Sequence, residues 1–506
     1  MAVSNDEKFE YCLENADADA LERIKVGECS VDDVYKTLVG STSESETNTE
    51  VESLPEGISI NQNGKMGIVK PAFAKWFISN TPMFFIKTHG KNTSKYIYDD
   101  CGVYNEVSDD IFRGAIKDKL PQELQYPNII EEIFKLIKME SSIYKPIEEI
   151  NADENIVNCK NGILHLDTKE LTPHTPDILS TFQIKFDYLG EHPKQPENEY
   201  FLNFLVDLSN KNAGVMQLLV EFAGLTFSNI KGHRTKKALF LVGKGDSGKS
   251  KFRDLLTNIV GSEYSSSADL ETIEARFGGY QLLGKRIAGA SDMKFTTVNQ
   301  LEMFKQLTGG DAIFAEKKGF DGFSSTYNGV LCFCTNKMPK FGGDKGEHVY
   351  NRCIIVECNN VIPPDKQDVH ILDKMLTEGD YIFTLCINAV CELMKRNYRF
   401  EIPDVCKQAL AQYEVDNDTV LSFIEECTER QPIDTIGNGL RTSDVHRIYS
   451  AWCAENKEKA LGRTLFYARL SELGYGEKRK SNGYEYYTAF KVKQSIINEY
   501  YPRDEI

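Results

Sequence analysis

Ala238-Leu-Phe-Leu-Val242 runs without a break into Gly243-Lys-Gly-Asp-Ser-Gly248-Lys249-Ser250, and then into Lys251-Phe-Arg-Asp-Leu-Leu-Thr-Asn-Ile-Val260. The first five residues read as a buried strand and the last ten as a helix. The eight between them match the glycine-rich phosphate-binding pattern in the strand–turn–helix context it requires. Its chemistry follows from backbone geometry. The small residues let the N–H groups of Gly243, Lys244, Gly245, Asp246, Ser247 and Gly248 turn inward towards phosphate oxygens, and the helix N-terminus adds its positive end. Lys249 is placed to reach the β- and γ-phosphates, and the Ser250 hydroxyl to ligate Mg2+. The stretch predicts an α/β fold with a parallel sheet and a nucleoside triphosphate ligand.

The residues that follow decide what kind of phosphate-loop protein this is. Leu283-Gly-Lys-Arg-Ile-Ala-Gly-Ala-Ser291-Asp292 reads as a small-residue strand ending in an acid. A carboxylate there would hold Mg2+ through water or orient the attacking water. Strands commonly end in aspartate, so this stretch decides little alone. Next come Lys305-Gln-Leu-Thr308-Gly309-Gly310-Asp311 and Ala315-Glu-Lys317-Lys318-Gly-Phe320. Gly329-Val-Leu-Cys-Phe-Cys334 then predicts a strand leading into Thr335-Asn336-Lys337-Met-Pro339, where a polar Asn336 would meet the attacking water or the γ-phosphate. Tyr350-Asn-Arg352 precedes a further strand, Cys353 to Cys358.

In this order, Ala238 to Cys358 resembles the motor of superfamily 3 helicases, and is most similar to the ATPase half of phage, plasmid and poxvirus-type primase-helicases. Upstream, Asn158-Cys-Lys-Asn161-Gly162-Ile-Leu-His-Leu-Asp167 with His174 and Pro176 is similar to the domain preceding that motor, so the resemblance covers roughly residues 70–415. It implies an AAA+-like hexameric ring that binds ATP and Mg2+ between subunits. Residue by residue, it implies that Gly243 to Ser250 form the Walker-A loop and that Asp292 is the Walker-B acid, sharing Mg2+ with Ser250. Lys305 to Asp311 fall on the intermediate motif, Asn336 on the sensor and Arg352 on the arginine finger. In this family the Walker-B strand commonly ends in two acids or in serine and glutamate. Ser291-Asp292 departs from that, which leaves open whether Asp292 ligates metal, activates water or does both.

A translocating ring needs a mobile basic element in its channel, and Lys317 and Lys318 occupy the interval where these helicases carry a hairpin. They read either as DNA-phosphate contacts or as a solvated lysine pair on a turn. After Asp416, three helical patterns (Val420–Cys427, Arg441–Cys453, Leu465–Leu473) are followed by a hairpin whose Asn482-Gly483 turn comes just after Lys478-Arg479-Lys480. Helix, helix, helix, wing is the order of a winged helix, a module that binds duplex DNA or docks proteins. Arg463 to Lys493 carries seven bases and three acids, locally basic.

That local sign matters because the whole chain of 506 residues has a net charge of −17, which on its face argues against a nucleic-acid partner. Residues 1–60 hold fifteen acids and four bases and account for −11 of that total. Within them, Gly40 to Glu50 has no apolar residue and reads as a linker. The leader is a solvated acidic tail, a docking segment or a nucleic-acid mimic. Thirteen cysteines without a Cys-x-x-Cys pattern suggest buried thiols in a reducing cytoplasm. The polar start and the lack of a long apolar run suggest neither signal peptide nor membrane helix. Asp99-Asp100 and Asp109-Asp110 could suggest a two-metal polymerase centre but sit at predicted turns.

The expected organisation is a segment and linker over 1–60, an α+β domain over 61–215, an AAA+-like motor over 216–415 and a winged-helix-like domain over 416–506. The expected function is that of a replicative DNA helicase and initiator of a phage or related mobile element. Single-stranded and duplex origin DNA, further copies of the chain, and host or element-encoded replication proteins would be its partners. An ATP-assembled origin binder that does not unwind, and a protein-remodelling ATPase, are the alternatives.

Overall fold

The computed structural model describes residues 54–87, 93–298, 300–316, 322–341, 347–432, 440–456 and 458–501. The chain divides into two compact units.

The smaller unit takes in the described residues up to Met83 and returns for Val107–Ile143. Helix Lys70–Asn80 carries Pro71 in its first turn, where the fixed φ of proline suits the helix. It packs with helix Pro127–Met139 and helix Asp109–Asp118. The packing is aromatic: Phe77 meets Phe112 edge-on at 6.1 Å, and Phe112 lies 5.5 Å from Phe134.

The larger unit contains everything that bears on phosphate chemistry. A three-stranded sheet (Met83–Lys87, Thr93–Tyr98, Tyr104–Val107) is followed by a second one (Ile156–Cys159, Gly162–His165, Leu171–Thr172). The apolar region from Phe201 to Leu225 is two helices, Tyr200–Leu208 and Ala213–Phe227, separated where Asn210 and Lys211 take positive φ. The second of these lies against helix Gly379–Lys395 so closely that a Cβ on Gly224 would come within 2.2 Å of the Cys386 carbonyl.

Five parallel strands form the central sheet: β1 (Ala238–Val242), β2 (Ser265–Ser266), β3 (Ile287–Ala288), β4 (Val330–Thr335) and β5 (Cys353–Glu357). They lie in the order β2-β3-β4-β1-β5. β4 is buried along its whole length and β1 nearly so, the continuous apolar pattern expected of a parallel sheet covered on both faces. Helix α1 (Lys249–Val260) leaves β1, and helix α2 (Glu302–Gly309) precedes an antiparallel hairpin, Ala312–Ala315 with Phe323–Thr326. The fold class is thus mixed α/β with a parallel sheet, as the sequence predicts.

One strand is shorter than predicted. The stretch ending in Asp292 keeps ladder register only at Ile287 and Ala288, although the Ala290 carbonyl still accepts from Cys334 N–H at 2.9 Å. Gly289 follows with φ +135°, and a Cβ there would fall 2.0 Å from the Cys332 carbonyl, so the chain leaves the ladder at a position only glycine can fill.

Helix α3 (Asp404–Asn417) packs on β5 and leads into a C-terminal cluster. The cluster comprises α4 (Thr419–Cys427), β6 (Thr428–Arg430), α5 (Thr442–Glu455), α6 (Arg463–Glu472), a hairpin of β7 (Lys478–Ser481) and β8 (Tyr484–Tyr487), β9 (Phe490–Val492) and α7 (Gln494–Tyr500). Its own core is built on Phe423, Tyr449, Trp452, Phe466 and Phe490. Of the described cysteines, Cys101 is exposed and the others are buried as free thiols. Among the described residues no helix is long and apolar enough to cross a membrane.

Candidate nucleotide and nucleic-acid sites

The loop joins β1 to α1 in the strand–turn–helix order that its sequence predicts. Asp246 has φ +59° and Gly248 φ +84°. Gly243 is packed so tightly that a Cβ would lie 2.2 Å from the Cys358 carbonyl. Lys249 is only 7% exposed, and its ammonium donates to the carbonyls of Gly243 (2.8 Å) and Lys244 (2.7 Å) and to Ser247 Oγ (3.1 Å). Ser247 Oγ in turn donates to the Lys244 carbonyl at 3.0 Å. The described hydrogen-bond partners of this buried ammonium are thus neutral oxygens at a helix N-terminus. Lys244, Gly245 and Asp246 are exposed on the rim, where the Asp246 carbonyl accepts from Ile362 N–H at 2.9 Å.

Ser250 Oγ donates to the Ser291 carbonyl at 2.7 Å, which brings the start of α1 beside the segment bearing Asp292. That segment is tied to the end of β4: Met293 N–H donates to the Cys334 carbonyl at 2.8 Å, and Thr335 Oγ1 to the Met293 carbonyl at 3.0 Å. Asp292 is exposed, and so is Asn336, the first residue beyond β4. Lys249, Ser250, Asp292 and Asn336 therefore collect at the C-terminal end of the parallel sheet.

Arg352 does not join them. It precedes β5, where its carbonyl accepts from Ala238 N–H at 2.7 Å, so it stands level with the start of β1. At about 3.3 Å per residue, the five residues of β1 place the Arg352 backbone roughly 15 Å from the phosphate loop. Its guanidinium donates to Thr308 Oγ1 (2.9 Å) and to the His348 carbonyl (3.1 Å), and so touches the intermediate motif instead. α2 is capped from outside: the Glu274 carboxylate accepts from the N–H groups of Met303 (3.1 Å) and Phe304 (2.8 Å).

Lys317 and Lys318 lie outside the described residues. The antiparallel strands on either side of them are described, and they show two features that sequence reasoning missed. Phe314 is 58% exposed, and Glu316 makes a two-pronged pair with Arg276 at 2.8 and 2.9 Å. Alternation along Ala312–Ala315 was the available signal for Phe314, since Ile313 and Ala315 are buried. The carboxylate pairs resolve as structural. Asp99 accepts from Cys101 and Val103 N–H within a turn, while Asp109 and Asp110 open a helix and face Arg113. No cluster of potential metal ligands occurs among the described residues.

Three family models match the chain in order: "D5 N terminal like" over residues 92–209, a family of unknown function (DUF5906) over 241–353, and "Poxvirus D5 protein-like" over 415–502. The D5-type matches thus flank the phosphate loop on both sides. The two D5-type matches support the resemblance to primase-helicases that the sequence carries. Solved apo structures of the C-terminal region of NrS-1 are similar to it at 14% identity. They cover 81–84% of this chain and 96–100% of their own, with TM-scores of 0.43 to 0.45.

The C-terminal match holds the basic hairpin. Asn482 (φ +51°) and Gly483 (φ +80°) form its two-residue turn, and Ser481 pairs with Tyr484. Lys478, Arg479 and Lys480 are exposed on β7. Lys478 also lies over the Tyr467 ring at 4.5 Å and faces Glu485 at 3.8 Å, with Lys480 at 4.0 Å from the same carboxylate. The local excess of positive charge is smaller than the sequence count suggests. Arg469 pairs with Asp418 (2.6 Å) and Glu472 (2.8 Å), Lys491 pairs with Glu429 (2.9 Å), and Lys493 donates to the Glu426 carbonyl. Arg441, which the sequence reading passed over, stacks on Tyr484 at 3.5 Å and adds an exposed cation beside the hairpin.

Proposed function

We propose that this primase-helicase relative is an ATP-dependent replicative DNA helicase and replication initiator of a mobile element, acting as a ring that translocates on single-stranded DNA. One observation carries the reading: Lys249, Ser250, Asp292 and Asn336 share one end of the sheet while Arg352 stands at the other. A chain so arranged cannot bring its own Arg352 to its own phosphates. It can present that arginine to a neighbour's, as a finger supplied in trans. The strand order β2-β3-β4-β1-β5, with the phosphate loop on a central strand, supports an AAA+-like assignment for residues 216–415.

In that ring Lys249 binds the β- and γ-phosphates, exchanging neutral carbonyl partners for anionic ones. Ser250 and Asp292 would hold Mg2+, which when bound supplies positive charge to the β- and γ-phosphate oxygens. Asn336 orients the attacking water or the γ-phosphate. Lys317 and Lys318 would supply the positive charge that meets the DNA backbone. Residues 61–215 form the preceding α+β domain. Residues 416–506 form a winged-helix module in which Arg479, Lys480 and Arg441 meet duplex phosphates and Lys478 is shared between phosphate contact and its aromatic seat.

The test is ATP turnover and fork unwinding by the wild type, Lys249→Ala and Lys317→Ala/Lys318→Ala. Lys249→Ala is expected to lose at least about a hundredfold in turnover, the scale of a lost phosphate-stabilising group. The double lysine variant is expected to keep basal turnover and lose unwinding. Unwinding by Lys249→Ala at the wild-type rate would overturn the reading.

A further inference from the structure

The chain beyond Asn336 is gripped by the end of α3, the helix that leads into the C-terminal cluster. Tyr413 OH donates to the Pro339 carbonyl at 2.6 Å. Asn417, 4% exposed, accepts from Phe341 N–H at 2.8 Å and donates back to the Phe341 carbonyl at 3.2 Å. The same amide donates to Tyr350 OH at 2.7 Å, two residues before Arg352. One buried side chain therefore holds both the exit from the sensor strand and the approach to the finger. Its neighbour Asp418, 1% exposed, caps α4 through Val420 N–H (2.9 Å) and binds Arg469 on α6 at 2.6 Å. Near the surface, Lys340 pairs with Glu458 of the C-terminal cluster.

These contacts border a cavity of about 440 Å³, lined by Asn336 and Lys337 on one side and Trp452, Asn456 and Glu458 on the other. Phe341, Tyr350 and Tyr413 pack ring to ring at 5.5–6.2 Å and fix α3 to the motor's core, whereas beyond α3 the sensor turn meets the C-terminal cluster across this open space through Lys340–Glu458. Such a joint can shift without a core being repacked, and its polar members bind only in one arrangement, because buried polar groups are costly once parted.

We propose that this joint is a latch through which DNA engaged by the C-terminal cluster sets the rate of ATP turnover, with Asn417 as its positioning residue and Lys340–Glu458 as its outer pin. The proposal rests on the helicase reading above. It differs from a purely structural role in predicting a loss of DNA stimulation without a loss of basal turnover.

Charge reversal at the pin tests it in the full-length chain, because both side chains are about one-third exposed and a surface pair contributes little to stability. The measurements are ATP turnover with and without fork DNA, and affinity for the same fork by fluorescence anisotropy. Lys340→Glu and Glu458→Lys are each expected to cut the DNA-stimulated to basal ratio by about fivefold or more, while basal turnover and fork affinity stay within about twofold. Lys340→Glu/Glu458→Lys restores the ratio. Should either reversal fail to fold, Glu458→Ala carries the same expectation. Unchanged stimulation in the single variants, or no recovery in the double variant, would overturn the latch. A wild type whose turnover ignores DNA would defeat the helicase reading itself, and the latch with it.

Discussion

At Gly243 a single hydrogen in place of a methyl group decides whether the phosphate loop closes. A Cβ would stand 2.2 Å from the Cys358 carbonyl, a backbone atom that cannot swing aside. Gly243→Ala is expected to destabilise the fold by about 1–3 kcal/mol, as overpacking does, and to abolish nucleotide binding. Urea unfolding and titration with a fluorescent ATP analogue would measure both. This glycine was legible in the sequence because its motif is a backbone requirement. Two of the Asn-Gly dipeptides, Asn161-Gly162 and Asn482-Gly483, show where such legibility stops. At Asn482-Gly483 both residues have positive φ and the pair is the turn, as expected. At Asn161-Gly162 the turn is Lys160-Asn161, since Cys159 pairs with Gly162. Gly162 is required for a different reason: a Cβ would meet the Thr172 carbonyl at 2.5 Å. That carbonyl belongs to a third strand, which a dipeptide cannot announce.

Among the elements, the helices and strands with strong periodicity were legible, and those set by distant contacts were not. β4 and β5 follow from uninterrupted apolar runs. The early end of β3 comes from the approach of Gly289 to Cys332, a contact between strands 43 residues apart in sequence. α2 shows the same dependence, because its N-terminal cap is Glu274, 28 residues upstream of Glu302. The far end of α2 carries a titratable neighbour. Gly310, just beyond the helix, leaves room for the His233 ring, whose nearest atom would lie 2.6 Å from a Cβ there. Burial pushes the His233 imidazole below its ordinary value, against a weaker opposing pull from the Tyr327 backbone. The folded protein thus keeps this ring neutral, whereas the unfolded chain takes up a proton near pH 6.5. Its stabilising contribution is complete above that pH and is lost as pH falls through it towards the depressed folded value. The melting temperature is expected to drop between about pH 7 and 5.5, with a shallower slope in His233→Gln. Parallel slopes in the two proteins would count against this assignment.

For the whole molecule, the separation of Lys249 from Arg352 makes a prediction that no single-chain variant can test. Lys249→Ala and Arg352→Ala should each be inactive when pure. Mixed in equal amounts, they should recover a measurable part of wild-type ATP turnover, because some interfaces then pair an intact phosphate loop with an intact arginine. Absence of recovery in a mixture shown by crosslinking to contain both variants would argue that Arg352 acts within its own chain. Charge at this scale was misleading. The net −17 is dominated by the first sixty residues, of which 1–53 lie outside the described structure, while the exposed cations of the hairpin sit in a locally basic region. The division into units was also hidden from sequence. The chain leaves the smaller unit at Met83 and re-enters it at Val107, and only the meeting of helices 70–80 and 127–139 reveals that return.

The two-ended sheet has one more consequence, for dosage. If every working site is shared by two chains, a chain damaged at one end still occupies a place and disables its neighbour's sound half as well as its own. Activity would then fall faster than the fraction of intact copies. A cell could then silence the activity cheaply, by supplying a modest excess of truncated or mutated chains that assemble but cannot complete a site.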